Sequence, residues 1–264
     1  MIRANEIRKT AREHGVPITT REKDYCIGWI LNSLYQPTNS FALKGGTGIR
    51  KLYVSNYRFS EDLDFTMLKN MCKAEIEENI RTSIRITKQD SGIEFLDEIK
   101  FRENVNGYKV DIYFRILRQT GNPLRIKLDL TRPEREKMIL PLKKLPVLHP
   151  YSDNCSAIVL AYSIHEIIAE KIRSIFERTR PRDLYDLWFF TENFDIRQAL
   201  EILPEKCEPK SVKTDINSIK ERKDDFSSAW DNSLDHQLKD LPDFNLVFYH
   251  VLELLEMIDS MRKK

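Results

Sequence analysis

Hydrophobic and polar residues alternate along three segments in the first half of the chain, as they do in strands with one buried face. The first segment, Phe59–Met67, contains the alternating sequence Asp-Leu-Asp-Phe-Thr-Met. The other two, Tyr108–Leu117 and Arg125–Thr131, are separated by the turn-forming sequence Gln-Thr-Gly-Asn-Pro. These two segments are therefore predicted to form a β-hairpin.

Helical periodicity flanks these strands and dominates the rest of the chain. Ala4–Leu34 and Lys73–Thr87 are predicted to be helical, whereas the short apolar run Phe41–Leu43 is predicted to be a buried strand. Beyond Pro150 the pattern becomes almost entirely helical. The helices predicted there are Ser163–Arg178, Arg182–Thr191 and Asn245–Arg262.

This change of pattern predicts two domains of different architecture. We expect an α/β (α+β) protein with a mixed sheet and amino-terminal helices over residues 1–150. A helical domain is expected over residues 151–264.

Composition narrows the class of protein. Of the 264 residues, 41% are apolar and 32% are charged, which is too apolar for a disordered chain and too charged for an integral membrane protein. The longest apolar run, about the length of Ala157–Tyr162, is too short to cross a bilayer, and the first residues lack the apolar region of a secretory signal. The four cysteines form no Cys-x-x-Cys pair. We therefore expect a soluble cytoplasmic protein.

Two carboxylates lie on the polar side of the first predicted strand. Because residues i and i+2 of a strand point the same way, Asp62 and Asp64 present their carboxylates about 7 Å apart. A third carboxylate can come from the polar side of another strand, either Asp129 or Asp111. Carboxylate clusters of this kind bind Mg²⁺ in phosphoryl-transfer enzymes. An isolated Asp-x-Asp, however, is more often a pair of solvated acids on an exposed strand.

A cluster of glycines supports the phosphate interpretation. Lys44–Gly48 has the sequence Lys-Gly-Gly-Thr-Gly and follows the predicted buried strand. Glycines let a backbone approach a phosphate closely, and their amides can form an anion-binding nest beside the Thr47 hydroxyl. The segment is neither a Walker A loop nor a dinucleotide-binding fingerprint. The segment supports a phosphate-binding site because it lies shortly before Asp62 and Asp64 in the sequence.

Lys171 interrupts an otherwise apolar helix stripe. The stripe consists of Ile164, Ile167, Ile168, Ile172 and Ile175. The amine at position 171 either extends to solvent beside the apolar stripe or points at a phosphate group, where a positive charge offsets the charge of phosphoryl transfer.

Taken together, these motifs resemble one family. Lys44–Thr47 with Arg58–Phe65 (Arg-Phe-Ser-Glu-Asp-Leu-Asp-Phe), and Glu170-Lys171 with Arg180–Leu187 (Arg-Pro-Arg-Asp-Leu-Tyr-Asp-Leu), are similar to the AbiEii/AbiGii toxin-type nucleotidyltransferases. These proteins, which include the MenT-like toxins, belong to type IV toxin–antitoxin systems and to the polymerase β-type nucleotidyltransferase superfamily. The resemblance implies a polymerase β-like domain over residues 1–150, with the helical domain completing the active-site cleft.

The resemblance also implies the site residues. Asp62, Asp64 and Asp129 are the implied catalytic metal ligands, and Asp129 is favoured over Asp111 because its sequence context is more similar to the family's. Lys171 and Asp186 are the implied further catalytic residues. The implied nucleotide-binding residues are Lys44, Gly45, Gly46, Thr47, Arg58, Ser60, Lys171 and Asp183.

The function implied by the resemblance is Mg²⁺-dependent transfer of a nucleoside monophosphate from an NTP to an acceptor hydroxyl, with the 3′ end of tRNA as the acceptor. The protein would then be a toxin that an antitoxin protein neutralises. Two alternatives stay open: a nucleotide-binding regulatory protein of the same fold with little transferase activity, and nucleotidylation of a protein. The net charge is only +2, so an RNA acceptor requires a local basic patch. Arg173, Arg178, Arg180 and Arg182 are the candidates for that patch.

Overall fold

The computed structural model describes residues 2–36 and 39–262. The chain forms two compact units that divide after Ser163. The predicted boundary near Pro150, with the ranges 1–150 and 151–264, lies thirteen residues before this division. The reason is that Ile158–Ala161 forms a strand that pairs with strands of the first unit.

One mixed sheet organises the described part of the first unit. The strand order is β3-β4-β5-β2-β1-β7-β6, in which β2 runs parallel to β5 and β1 runs parallel to β7, while the remaining neighbours are antiparallel. The fold class expected from the sequence is thereby confirmed. The strands are β1 Phe41–Lys44, β2 Asp62–Met67, β3 Glu94–Asn104, β4 Gly107–Arg115, β5 Leu124–Thr131, β6 Lys143–Pro146 and β7 Ile158–Ala161.

Alternation of side chains explains the central strands of the sheet. On β4 and β5, Val110, Ile112 and Leu128 are buried in the core, and the residues between them point to the opposite face. The predicted hairpin of β4 and β5 is confirmed. Strand β3 was not predicted, because its register against β4 shifts between Phe95 and Ile99 and the alternation is broken there.

Helices of the first unit pack on the apolar face of the sheet. The segment Ala4–Leu34 is helical, as predicted, and it divides into two helices because Gly15 adopts a left-handed conformation (φ 60°) and Pro17 precedes the second helix. The glycine cluster forms a short helical turn followed directly by a π-helix. The helical segments are α1 Ala4–Glu13, α2 Ile18–Leu34, α3 Gly45–Gly48, the π-helix Ile49–Tyr53 and α4 Lys73–Ser91.

The described part of the second unit is helical, as predicted. Its longer helices bury apolar stripes, including the stripe of isoleucines on the first of them. In the described part of the chain, no helix is both long enough and apolar enough to cross a membrane. The helices are α5 Ile164–Glu177, α6 Pro181–Asn193, α7 Arg197–Cys207, α8 Ile216–Glu221, α9 Lys223–Ser228, α10 Trp230–Leu234 and α11 Phe244–Arg262.

Candidate active site

The register of β2 against β5 brings the predicted carboxylates together. Asp64 lies directly beside Asp129 on the parallel neighbour strand, and Asp62 lies beside Lys127. Directly paired residues point to the same face of a sheet, as do residues two apart on one strand. Asp62, Asp64 and Asp129 therefore share one face.

The glycine turn packs against these carboxylates. Gly45 has a φ of +69°, and a Cβ atom at this position would overlap the Asp64 carboxylate. At Gly46, a Cβ atom would lie 2.9 Å from Ser60 Oγ and 3.2 Å from Arg58 Nη2. Each glycine is thus required because another group occupies the space of a side chain. The predicted nucleotide-binding residues Gly45, Gly46, Arg58 and Ser60 lie next to one another and to Asp64.

The side chains at the two ends of this turn have structural partners. The buried Thr47 hydroxyl, which was expected to face a phosphate, instead donates a hydrogen bond to the Asp62 carbonyl oxygen. The Lys44 ammonium lies 3.2 Å from a Glu136 carboxylate oxygen. The backbone amides of the turn, rather than these two side chains, are therefore the groups best suited to an anion.

Asp129 is held by a lysine on its own strand. Lys127 Nζ lies 2.5 Å from Asp129 Oδ2, and both side chains are about a quarter exposed. Among residues 2–36 and 39–262, no three His, Cys, Asp or Glu side chains are positioned to hold a metal ion as they stand. The oxygen donors of Asp62, Asp64 and Asp129 nevertheless suit a hard divalent cation. Lys127 engages one oxygen of the Asp129 carboxylate, so its ammonium group competes with a divalent cation for this side chain.

Asp111, the alternative third carboxylate, lies one strand further from β2. It is almost fully buried, accepts a hydrogen bond from Arg102 Nη2 at 2.6 Å, and lies 3.8 Å from Arg125 Nη1. In the register of β4 and β5, its direct neighbour is Lys127. The geometry thus brings Asp129, and not Asp111, beside Asp64.

A second charged cluster lies in the helical unit. Lys171 Nζ on α5 is 2.7 Å from Asp186 Oδ2 and 3.2 Å from Asp183 Oδ1 on α6. Both carboxylates are buried, and Arg178 contacts Asp183 through two nitrogens at 2.8 and 3.2 Å. Burial raises the pKa of Asp183, but Lys171 and Arg178 outweigh it and hold that pKa below its ordinary value. The predicted residues Lys171, Asp183 and Asp186 are therefore in direct contact.

The basic patch predicted on the helical unit is wrong in part. Arg173 is buried, donates a hydrogen bond to the Lys206 carbonyl oxygen at 2.9 Å, and lies 3.6 Å from Glu177. Arg178 is engaged with Asp183. Arg173 is buried because the apolar period of α5 turns position 173 inward, whereas the Arg178 side chain is partly exposed and paired with Asp183.

A buried group of charges, which was not predicted from the sequence, anchors the segment after the glycine turn. Asp24 on α2 lies 3.0 Å from both Arg50 Nε and Lys51 Nζ, and 3.8 Å from Arg21 Nη1. Burial raises the pKa of Asp24, but the three cations hold it well below its usual range. The signal available in the sequence was charged residues within an otherwise apolar helix. Through Asp24, α2 fixes the π-helix that carries Arg50 and Lys51.

Comparisons with known proteins identify the family and the fold. The family model described as nucleotidyl transferase AbiEii toxin, type IV TA system, matches residues 29–256. Among solved structures, the nucleotidyltransferase toxin MenT4 from Mycobacterium tuberculosis has a TM-score of 0.59 at 20% identity, covering 77% of this chain and 69% of its own. A nucleotidyltransferase-like protein from Paracoccidioides brasiliensis gives 0.39 at 15% identity, covering 81% and 94%, which is too distant to carry an argument. No curated protein sequence matches.

Proposed function

Because the chain belongs to the AbiEii nucleotidyltransferase toxins of type IV toxin–antitoxin systems, we propose that it transfers a nucleoside monophosphate from an NTP to an RNA hydroxyl, releasing pyrophosphate. The proposed acceptor is the 3′ end of tRNA. The observation that carries this proposal is the register of β2 and β5, which aligns Asp62, Asp64 and Asp129 on one face. An NTP is the expected substrate and a cognate antitoxin the expected partner.

The carboxylates are proposed to act as a metal-binding set. Asp62 and Asp64 would hold Mg²⁺, and Asp129 would complete the set and orient the acceptor hydroxyl. When bound, the metal would supply positive charge that stabilises the phosphoryl groups. The amides of Gly45 and Gly46 would bind phosphate oxygens, with the Arg58 guanidinium and the Ser60 hydroxyl beside them.

We propose that Lys171 contributes positive charge to nucleotide binding. Asp183 and Asp186 hold its ammonium group through contacts of 3.2 and 2.7 Å, which fix its direction. In this role Asp183 and Asp186 position Lys171 and do not contact the nucleotide themselves.

A labelling experiment tests the proposed reaction. The protein is incubated with each NTP labelled on the α-phosphate, with Mg²⁺ and total tRNA, and label is followed into RNA and polypeptide. We expect label in RNA with the unchanged protein, and at least a hundredfold less with Asp64→Asn. Asp90→Asn, which removes an exposed carboxylate on α4, is the matched control and should keep full activity.

Other results of the same experiment identify the alternatives. Label on the polypeptide would indicate protein nucleotidylation instead of RNA transfer. Binding of NTP without incorporation of label into either polymer would indicate a nucleotide-binding regulatory protein. Either result would overturn the proposed reaction.

A further inference from the structure

The face of the sheet that carries the carboxylates continues across β4 and β3. The paired registers place Arg102 beside Lys109, Lys109 beside Asp129, and Asp129 beside Asp64. Directly paired residues share a face, and neighbouring strands lie about 4.8 Å apart. This row of side chains therefore leads from the exposed strand β3 to Asp64 over about 14 Å.

Two neighbouring rows on the same face also contain basic residues. In one row, Lys100 pairs with Asp111, and Asp111 pairs with Lys127. In the row beside it, Tyr113 pairs with Arg125. We call the exposed members of these rows the basic sheet face. Its residues are Lys100, Arg102, Lys109, Tyr113 and Arg125.

The charge of the basic sheet face points outward. The side chains of Lys100, Arg102 and Arg125 are 54%, 60% and 54% exposed. The carboxylate in the middle of the face, Asp111, is 3% exposed and lies beneath the two arginines. It therefore orients these guanidinium groups while contributing little surface of its own. The exposed Glu98 lies 3.3 Å from Lys100 Nζ and offsets part of this charge. Outside the carboxylate site, Lys100, Arg102, Lys109 and Arg125 still outnumber the carboxylates Glu98 and Asp111, so the face keeps an excess of positive charge.

One aromatic side chain lies among these cations. Tyr113 is partly exposed, and the Lys100 ammonium lies 5.3 Å from the centre of its ring. Exposed rings bordered by basic groups bind single-stranded nucleic acid, because bases stack on the ring while the cations contact the phosphates.

We propose that the basic sheet face binds the single-stranded 3′ end of the RNA acceptor and leads its terminal hydroxyl toward Asp64 and Asp129. This inference rests on the proposed function, because it assumes an RNA acceptor. An acidic protein would also match the charge. A polynucleotide fits better, because the face is continuous with the carboxylates at which its terminal hydroxyl would react and because it includes an aromatic ring.

Binding of a single-stranded RNA oligonucleotide, measured by fluorescence anisotropy at several salt concentrations, tests the proposal. Lys100→Gln/Lys109→Gln removes two charges and leaves the partners of Asp111 in place. We expect Kd to rise about tenfold and the slope of log Kd against log salt to fall by about 1.4, or about 0.7 for each lost phosphate contact. The matched control, Lys9→Gln/Lys88→Gln, removes two exposed lysines from α1 and α4 and should leave Kd and slope unchanged.

Substitutions at Tyr113 test stacking separately from charge. Tyr113→Leu should weaken binding about tenfold without changing the salt slope, whereas Tyr113→Phe, which keeps the ring, should bind like the unchanged protein. Unfolding curves and NTP binding are recorded for every variant, so that a loss of folding is recognised.

The outcomes separate this proposal from the proposed function. If the unchanged protein binds RNA and the Lys100/Lys109 variant and its control have the same Kd and slope, the basic sheet face is not the binding surface, and the reaction itself still stands. If the unchanged protein binds no RNA, the RNA acceptor is wrong, and the docking surface is wrong with it. Equal loss of binding by both double variants would show a nonspecific charge effect and would also overturn the assignment.

Discussion

Gly45 lies where the backbone of the glycine turn comes closest to the Asp64 carboxylate. In Gly45→Ala the left-handed backbone costs about 1–2 kcal/mol, and the added Cβ pushes the carboxylate out of place. A displacement of about 1 Å at a reacting group can lower a rate about a hundredfold. We therefore expect about a hundredfold loss of kcat for label transfer to RNA and a modest loss of stability in urea.

Gly121 offers the matched control for that substitution. It also has a positive φ, +81°, but a Cβ atom there would meet no other atom within 4 Å. Gly121→Ala should therefore show a similar loss of stability and no change in kcat. If the two variants have the same kcat, the contact between Gly45 and Asp64 has no role in catalysis.

The Lys171 cluster makes a prediction about stability. Lys171→Met leaves Asp183 and Asp186 buried without their shared cation, and breaking a buried ion pair costs about 3–5 kcal/mol. Lys171→Arg retains a positive charge and should lose less than half as much. Urea unfolding at pH 7 measures both values. Equal stability of Lys171→Met and the unchanged protein would contradict a buried charged pair.

The same cluster predicts a dependence of stability on pH. The pKa of Asp183 is lower in the folded protein than its ordinary value near 4. A carboxyl with a lowered pKa stabilises the fold fully above its ordinary pKa, and this contribution is lost as the pH falls through the folded value. The difference in unfolding free energy between the unchanged protein and Asp183→Asn should therefore be largest above about pH 5 and shrink below about pH 4. A constant difference from pH 7 to pH 3 would contradict the assignment.

At the scale of elements, the site depends on how β2 pairs with β5. Alternation in the sequence shows which residues of each strand share a face, and this was enough to predict Asp62 and Asp64 as a pair, with Asp129 or Asp111 as a third carboxylate. It does not show which strands are neighbours, because strands with the same alternation are equally suited to pair with one another. The choice between Asp111 and Asp129 therefore stayed open in the residue pattern and needed the register.

The ion pair between Lys127 and Asp129, which lie on the same strand, was also not predicted. Lys127 and Asp129 are two residues apart and so share a face, but nothing in the sequence shows that the amine turns toward the carboxylate. The sequence likewise does not show which partner Arg173 has. It therefore could not show that Arg173 donates a buried hydrogen bond to Lys206 and does not belong to an exposed basic patch. Periodicity predicts faces and burial, whereas rotamers and partners depend on the packed structure.

The Lys127–Asp129 pair leads to a prediction about metal affinity. In Lys127→Gln the Asp129 carboxylate loses its cationic partner and becomes available to a divalent cation. We expect the Mg²⁺ concentration for half-maximal activity to fall about threefold, with metal binding in isothermal titration changing in the same direction. The control is the double variant Lys127→Gln/Asp129→Asn. Its affinity for Mg²⁺ should equal that of the single variant Asp129→Asn. An unchanged Mg²⁺ requirement in Lys127→Gln would remove Asp129 from the proposed metal-binding set.

At the scale of the whole molecule, each unit contains one of the two charged clusters on which the proposed function depends. The carboxylate face belongs to the sheet unit and the Lys171 cluster to the helical unit. The family match extends across both, over residues 29–256. The family match thus includes residues of both units, and we propose that both charged clusters contribute to the activity of the protein in a cell.

Growth inhibition should therefore follow transferase activity when the protein is produced in a bacterial host without its antitoxin. Asp64→Asn removes a proposed metal ligand while leaving the fold of β2 in place, so we expect normal growth at equal protein level. Asp90→Asn, which changes an exposed carboxylate far along α4, should inhibit growth as strongly as the unchanged protein. Growth rate and immunoblotting of the produced protein measure the effect. Inhibition by Asp64→Asn equal to that of the unchanged protein would separate toxicity from nucleotidyl transfer, and would require binding of nucleotide or RNA to be toxic by itself.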